Sequence, residues 1–273
     1  MQARRAVFAI AAMACWWGPG CAGEVVPNLY VAQAITTGQM EEHRPAAFAQ
    51  CFLDVLVKVS GDPRLTDDPR AIALSQHAAT FVQAYRYRDR LEGKPIHDEQ
   101  GTRDRPHDLT VDFVPERIGY ALQLLGRKPW DPVRPTLALI TSVRFGEITY
   151  LLTHEEERGV NQREALAAAS IRIGVPVVLP PRSTLSQAGV AVASLPSISP
   201  GAANDITARV GADVPLLGTM VFSAEAQGWV VDWRLIRPEG EVHWQVRGVN
   251  YDEAFRRALR GAAQVLSGNG TPN

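Results

Sequence analysis

The chain has 273 residues, with 28 lysines and arginines against 29 aspartates and glutamates and a formal net charge of −1. Setting aside residues 1–23, which hold Arg4 and Arg5 and no acid, leaves 26 against 29, or −3. That balance excludes a nucleic-acid binder, because phosphate recognition needs a concentrated basic surface. Only Lys58, Lys94 and Lys128 are lysines, and the arginine bias reads as codon usage rather than as anion recognition.

The basic head Arg4-Arg5, the apolar run Ala6 to Trp17 and the small-residue stretch Gly18 to Gly23 form a secretory signal peptide pattern. Gly18, Pro19 and Gly20 cut the run short of the roughly 20 residues that a membrane-spanning helix needs. Cleavage after Ala22 or Gly23 gives a soluble exported protein, which is the expectation. The alternative is a lipid anchor at Cys21; against it, Gly18-Pro19-Gly20 lacks the usual Leu or Val three residues before such a cysteine. With Cys15 and Cys21 removed, Cys51 is alone, so no intramolecular disulfide forms.

Leu29 to Ile35 reads as extended, and Pro45 to about Lys58 as a helix with the stripe Phe48, Cys51, Phe52, Val55 and Val59, which makes Cys51 a buried thiol. Gly61-Asp62-Pro63 ends that helix. A second helix is predicted from Pro69 to about Gln83, then a strand through Tyr85 and Tyr87. Arg88 to His107 reads as a long exposed hairpin connection. Leu109, Val111 and Phe113 alternate as a strand, and Pro115 opens a helix with Ile118, Leu122 and Leu125 that Gly126 closes.

Lys128 to Pro135, with three prolines, is a stiff connector, and we place a domain boundary there. Trp130 within it reads as a residue pinning two domains together, with ligand stacking as the alternative. The expected organisation is two small α/β (α+β) domains, residues 24–127 and 136–267, followed by a disordered tail, 268–273. Leu137 to Val143 is apolar enough for a strand covered on both faces. Asn161 with Glu164 and Asn250 with Glu253 have capping-box spacing. Two junctions, Gly174 to Val178 and Gly211 to Leu217, share a glycine cap followed by a proline at the strand.

The second domain should end in an antiparallel three-strand meander, Val214 to Ala224, Trp229 to Ile236 and Glu241 to Val249. Val231, Trp233 and Leu235 share a face with Val242, Trp244 and Val246 only if Ile236 pairs with Glu241, which sets Trp233 opposite Trp244. A closing helix buries Phe255, Ala258, Leu259, Ala262 and Leu266 and turns Arg256, Arg257 and Arg260 to solvent.

No chemistry-bearing motif is complete. His154-Glu155-Glu156-Glu157 lacks the second histidine of a zinc helix, since Arg158 stands there, and reads as an exposed acidic turn. His97-Asp98-Glu99 with His107-Asp108 has no preset metal geometry. Ser60-Gly61-Asp62, Gly189 and Ser194 supply no nucleophile elbow, and His243 with Arg234, Gln245 and Arg247 reads as a solvated outer sheet face. No cofactor, no metal and no catalytic residue is assigned.

Val55 to Asp62 after Ala47-Phe48, then Phe81 to Tyr87, Leu109 to Phe113, Pro129-Trp130 with Arg134-Pro135, and Gly174-Val175-Pro176 together resemble an exported proteobacterial family known as domain of unknown function 2066. The resemblance implies export and fold and brings no activity. The second half is also similar in pattern to small α/β domains of periplasmic assembly proteins, such as the N-terminal domain of the Tol-system propeller protein and the outer-membrane activators of peptidoglycan synthases. The expectation is therefore a non-enzymatic cell-envelope protein, periplasmic or secreted, that binds an envelope protein partner through a sheet edge or the arginine-bearing helix. Its alternatives are a secreted hydrolase assembled from Asp62, Asp112, His107 and His154, and small-ligand binding in the cleft between domains.

Overall fold

The computed structural model describes residues 23–93 and 104–272. The leader with Cys21, and His97-Asp98-Glu99, lie outside the described residues. In chain order the elements are β1 (Glu24–Val25), β2 (Val31–Thr37), α1 (Arg44–Ser60), α2 (Pro69–Ser75), β3 (Val82–Asp89), β4 (Pro106–Phe113), α3 (Pro115–Leu124), β5 (Val133–Arg134), β6 (Leu137–Phe145), β7 (Ile148–Leu152), α4 (Val160–Ile173), β8 (Val177–Val178), α5 (Arg182–Gln187), α6 (Pro200–Arg209), β9 (Val214–Ser223), β10 (Gly228–Arg237), β11 (Gly240–Val249) and α7 (Tyr251–Leu266). The fold is mixed α+β, as the sequence predicts.

The first sheet is antiparallel in the order β2-β4-β3. One face packs on α1, whose stripe of Phe48, Cys51, Phe52, Val55 and Val59 is buried against Leu109, Val111 and Phe113. Three- and four-residue spacing puts those side chains on one side of the helix, and alternation puts their partners on one side of β4. The second sheet runs β11-β10-β9-β6-β7, with β8 beside β6. Its β6 and β9 are parallel and its other long pairs antiparallel. α4 and α7 cover one face over Leu139, Val143, Leu216, Trp233 and Trp244. A smaller cluster of Ile140, Leu185, Ala203, Ile206 and Leu217 lies on the other, under α5 and α6.

The meander has the predicted register, with Ile236 paired to Glu241 and Trp233 to Trp244. Alternation identifies the buried face, and the requirement that both apolar sets share it leaves one register. α7 starts as predicted, with the Asn250 side chain accepting from the Glu253 N–H at 2.8 Å.

Four expectations need correction. The helix from Pro69 ends at Ser75, a 3-10 segment spans Ala78–Phe81, and Val82 enters β3. Pairing of Val82 with Phe113 outweighs the helical spacing there. The connection after β3 is shorter than read, because Arg88, Asp89, Pro106 and His107 belong to strands. Its charges are cross-strand partners: Arg88 and Arg90 meet Asp108, and Arg105 meets Asp89 at 3.0 Å. Asn161 does not cap α4, since Gly159, at φ 85°, stands at that position. A left-handed backbone, open to glycine at little cost, fixes the helix frame two residues earlier than the capping pattern does. Finally, Arg260 does not face solvent on α7 but is half-buried toward α1 and α4.

Candidate functional site

A flank of α1 beside its apolar stripe is also hidden: Asp54 is 7% exposed and Lys58 4%. α4 and α7 lie against it, so charges that an isolated helix would give to water meet the second half of the chain. Asp54 pairs with Arg172 of α4 at 2.7 Å. Lys58 donates to the Val31 carbonyl at 2.7 Å. Arg134, fully buried, donates to the Lys58 carbonyl at 2.6 Å, to Gly174 at 2.6 Å and to Asp131 at 3.2 Å, and stacks over Trp130 at 4.1 Å. The C-terminal carbonyls of α1 and α4, negative ends of their helix dipoles, thus converge on one guanidinium. Gly174 (φ 69°) makes this approach feasible, because a Cβ there would stand 2.9 Å from both Arg134 Nη1 and Lys58 Cγ.

Trp130 donates its backbone N–H to Val59 at 2.8 Å while its ring packs against the core of the second sheet. Asn269, beyond α7, donates to Ser60, and the Ser267 hydroxyl to Gly61. Residues 60–62 are therefore structural: Ser60 bonds back to Leu56, and Asp62 holds Arg64 and Arg127. Burial acts to raise the Asp62 carboxyl, but its hydrogen bonds from Arg64 and Arg127 outweigh this and hold it below the usual range.

Burial pushes the Lys58 ammonium down to about 8, with Asp54 opposing. Between pH 8 and 10.5 the unfolded chain keeps a proton that the folded chain has released, so stability rises with pH across this window and is lost as pH falls through 8. Wild type is expected to gain about 3 kcal/mol there relative to Lys58→Met. Urea unfolding of both proteins from pH 7 to 10.5 measures it; parallel profiles would contradict the buried charge. Cys51, raised by burial to about 12, lowers stability above pH 9 in both proteins and drops out of the comparison.

The four residues of the hydrolase alternative are not brought together. Asp62 is locked by two arginines; His107 and Asp112 point to opposite faces of β4; and His154 is exposed before α4. Among the described residues no hydrogen bond or ion pair joins any two of them. In the acidic turn Glu155 accepts from the Arg182 backbone and Glu156 pairs with the Arg182 side chain. His243 is exposed beside Glu241, which also meets Arg234, and Gln245 bonds Asp232, so this sheet face carries its own counter-charges. Among the described residues no group of three or more His, Cys, Asp or Glu is placed to hold a metal ion. No helix among them is long and apolar enough to cross a membrane.

The open feature is β7. It borders the second sheet and hydrogen-bonds on one side to β6. The two-residue turn Gly146-Glu147 closes on a hydrogen-bonded Phe145–Ile148 pair, so alternation turns the N–H and C=O of Thr149 and Leu151 away from β6. Beside that edge lies a groove of about 920 Å³ lined by Tyr150, Leu151, Glu157, Arg158, Leu185 and Val190. β3 guards its edge with Arg86 and Arg88, and β11 with Glu241, His243 and Arg247; β2 carries no charge, but Lys58 donates to its Val31 carbonyl, and Ile148 to Leu152 likewise carries none. Periodicity alone did not single out this strand, since its five residues do not alternate cleanly.

Fold and edge together define an α+β protein whose second sheet presents an uncharged strand next to a groove. A family model described as a domain of unknown function (DUF8605) matches residues 24–131, a span that ends inside the connector and includes α1 with Asp54 and Lys58. No curated protein and no solved structure gives a match.

Proposed function

We propose that this chain is an exported cell-envelope protein that binds another envelope protein by taking an extended segment of it onto β7. The observation that carries the reading is the uncharged free edge of β7 facing a groove. An added strand gains main-chain hydrogen bonds at Thr149 and Leu151, and its alternate side chains fill the groove over Leu151, Leu185 and Val190. The segment it fits is apolar, with one basic residue near Glu157, which forms no ion pair with any described residue. The leader pattern and the resemblance to domain of unknown function 2066 support export, and the apolar run is read as removed rather than retained as an anchor. Residues 24–127 and 136–267 are read as two units joined through residues 128–135.

Thr149→Pro tests the reading. Proline at 149 removes an outward N–H and no bond to β6, so the fold is expected to persist while the edge is blocked. In-cell crosslinking with mass spectrometry on the exported chain should give one recurrent envelope partner with wild type and at least a tenfold lower yield with Thr149→Pro, at unchanged circular dichroism. Equal yields would overturn the reading. Tyr150→Pro, whose N–H points to β6, serves as the control that loses stability, by about 3 kcal/mol.

A further inference from the structure

Where α1, α4 and α7 meet, two carboxylates serve five cations. Asp54 pairs with Arg172 and lies within electrostatic reach of Lys58 and Arg260. Glu253 pairs with Arg256 at 2.9 Å and Arg257 at 2.8 Å. The local excess is three positive charges in a chain whose formal net charge is −1. Arg260 is half-buried, takes part in no ion pair among the described residues, and its Nε has no acceptor; the Nε atoms of Arg172 and Arg256 are likewise hidden from water without one. A buried guanidinium donor left unsatisfied costs stability, and a surplus of cations at a packed seam adds repulsion. The side chains of Arg172 and Arg256 remain 30% and 31% exposed, so the cluster is reached from solvent.

We propose that Arg260, with Arg172 and Arg256, binds a phosphate-type oxyanion at this seam. Guanidinium groups are shaped for that partner, offering paired N–H donors at oxyanion spacing. Arg256 and Arg260 stand one turn apart on α7, and Arg172 reaches from α4. An anion held there ties α4 to α7 and offsets charge that Asp54 and Glu253 leave uncompensated. The inference does not depend on β7.

Two anion sources share this chemistry, free phosphate and a lipid headgroup, and the test separates them. Thermal unfolding of the full mature chain is followed against inorganic phosphate, with sodium chloride at matched ionic strength. Sedimentation with phosphatidylglycerol vesicles, against phosphatidylcholine vesicles, forms the second arm. Both are repeated with Arg260→Gln and Arg260→Lys. A phosphate-specific rise in Tm that Arg260→Gln weakens at least about tenfold in apparent affinity, and that Arg260→Lys partly restores, establishes the free anion. Arg260-dependent binding to phosphatidylglycerol alone establishes the headgroup. If neither response exceeds that of chloride or phosphatidylcholine, or if both survive Arg260→Gln, the proposal is overturned and Arg260 serves Asp54 only.

Discussion

Arg134→Leu is expected to lower the unfolding free energy by about 3–5 kcal/mol, enough to bring Tm down by roughly 10 °C in a chain of this size. Arg134 has no exposed surface, and it satisfies carbonyls at the C-termini of both α1 and α4. Leucine fills part of the volume but leaves those oxygens without donors in a place water does not reach. The guanidinium itself is costly to bury, which pushes it down to about 10, with Asp131 opposing. At about 10 it still stays protonated at neutral pH, so the charge is held against the convergent carbonyls. Arg134→Lys should recover little, because an ammonium cannot span Lys58 and Gly174 from one position as a fork does. Urea unfolding of the three proteins decides it, and a loss under 1 kcal/mol for leucine would show that the carbonyls find other donors.

A second large effect is expected from Gly218→Ala, about 3 kcal/mol, at the upper end for overpacking. Gly218 sits directly opposite Trp233 across the β9–β10 ladder, and the indole lies over it. A Cβ at 218 would stand 2.3 Å from Trp233 Cζ3 and 2.8 Å from Thr141 Oγ1. The ring cannot retreat, because Phe255 of α7 packs beside it at 6.3 Å and Trp244 stands in the neighbouring strand. The near-ultraviolet circular dichroism of the tryptophans should change along with stability. Adding Trp233→Leu should recover part of the loss, since the shorter side chain no longer covers position 218. If the double variant is as unstable as the sum of the singles, the clash is not the cause.

These two positions also mark where sequence reading stops. The faces and register of the meander were legible because apolar alternation in two adjacent strands admits one pairing. Alternation says which face Trp233 occupies, but not that a glycine of β9 lies beneath it. The stripe of α1 was legible from its spacing, and Cys51 fell in place with it. Nothing local marks Asp54 and Lys58, on the flank of that helix, for burial: α4 packs there from more than a hundred residues later, and Arg260 of α7 lies within electrostatic reach of Asp54. Arg172 and Arg260 carry no local sign of burial, and the abundance of arginine concealed them further. Asn161 shows the limit in miniature, since its capping chemistry was sound while the backbone turn at Gly159 set the frame.

Cys51 gives α1 a built-in clock. Its thiol is the free cysteine among the described residues, has no exposed surface, and is raised by burial to about 12. A disulfide reagent in solution meets neither an accessible sulfur nor a thiolate while α1 is seated. Every modification therefore records an excursion in which the helix has lifted from its sheet. At high reagent concentration the labelling rate becomes the rate of that lifting, and at low concentration it is the intrinsic thiol labelling rate multiplied by the equilibrium constant for lifting. Because the same helix pairs Asp54 with Arg172 and offers its Lys58 carbonyl to Arg134, an excursion recorded at that sulfur also loosens α1 from the second half of the chain.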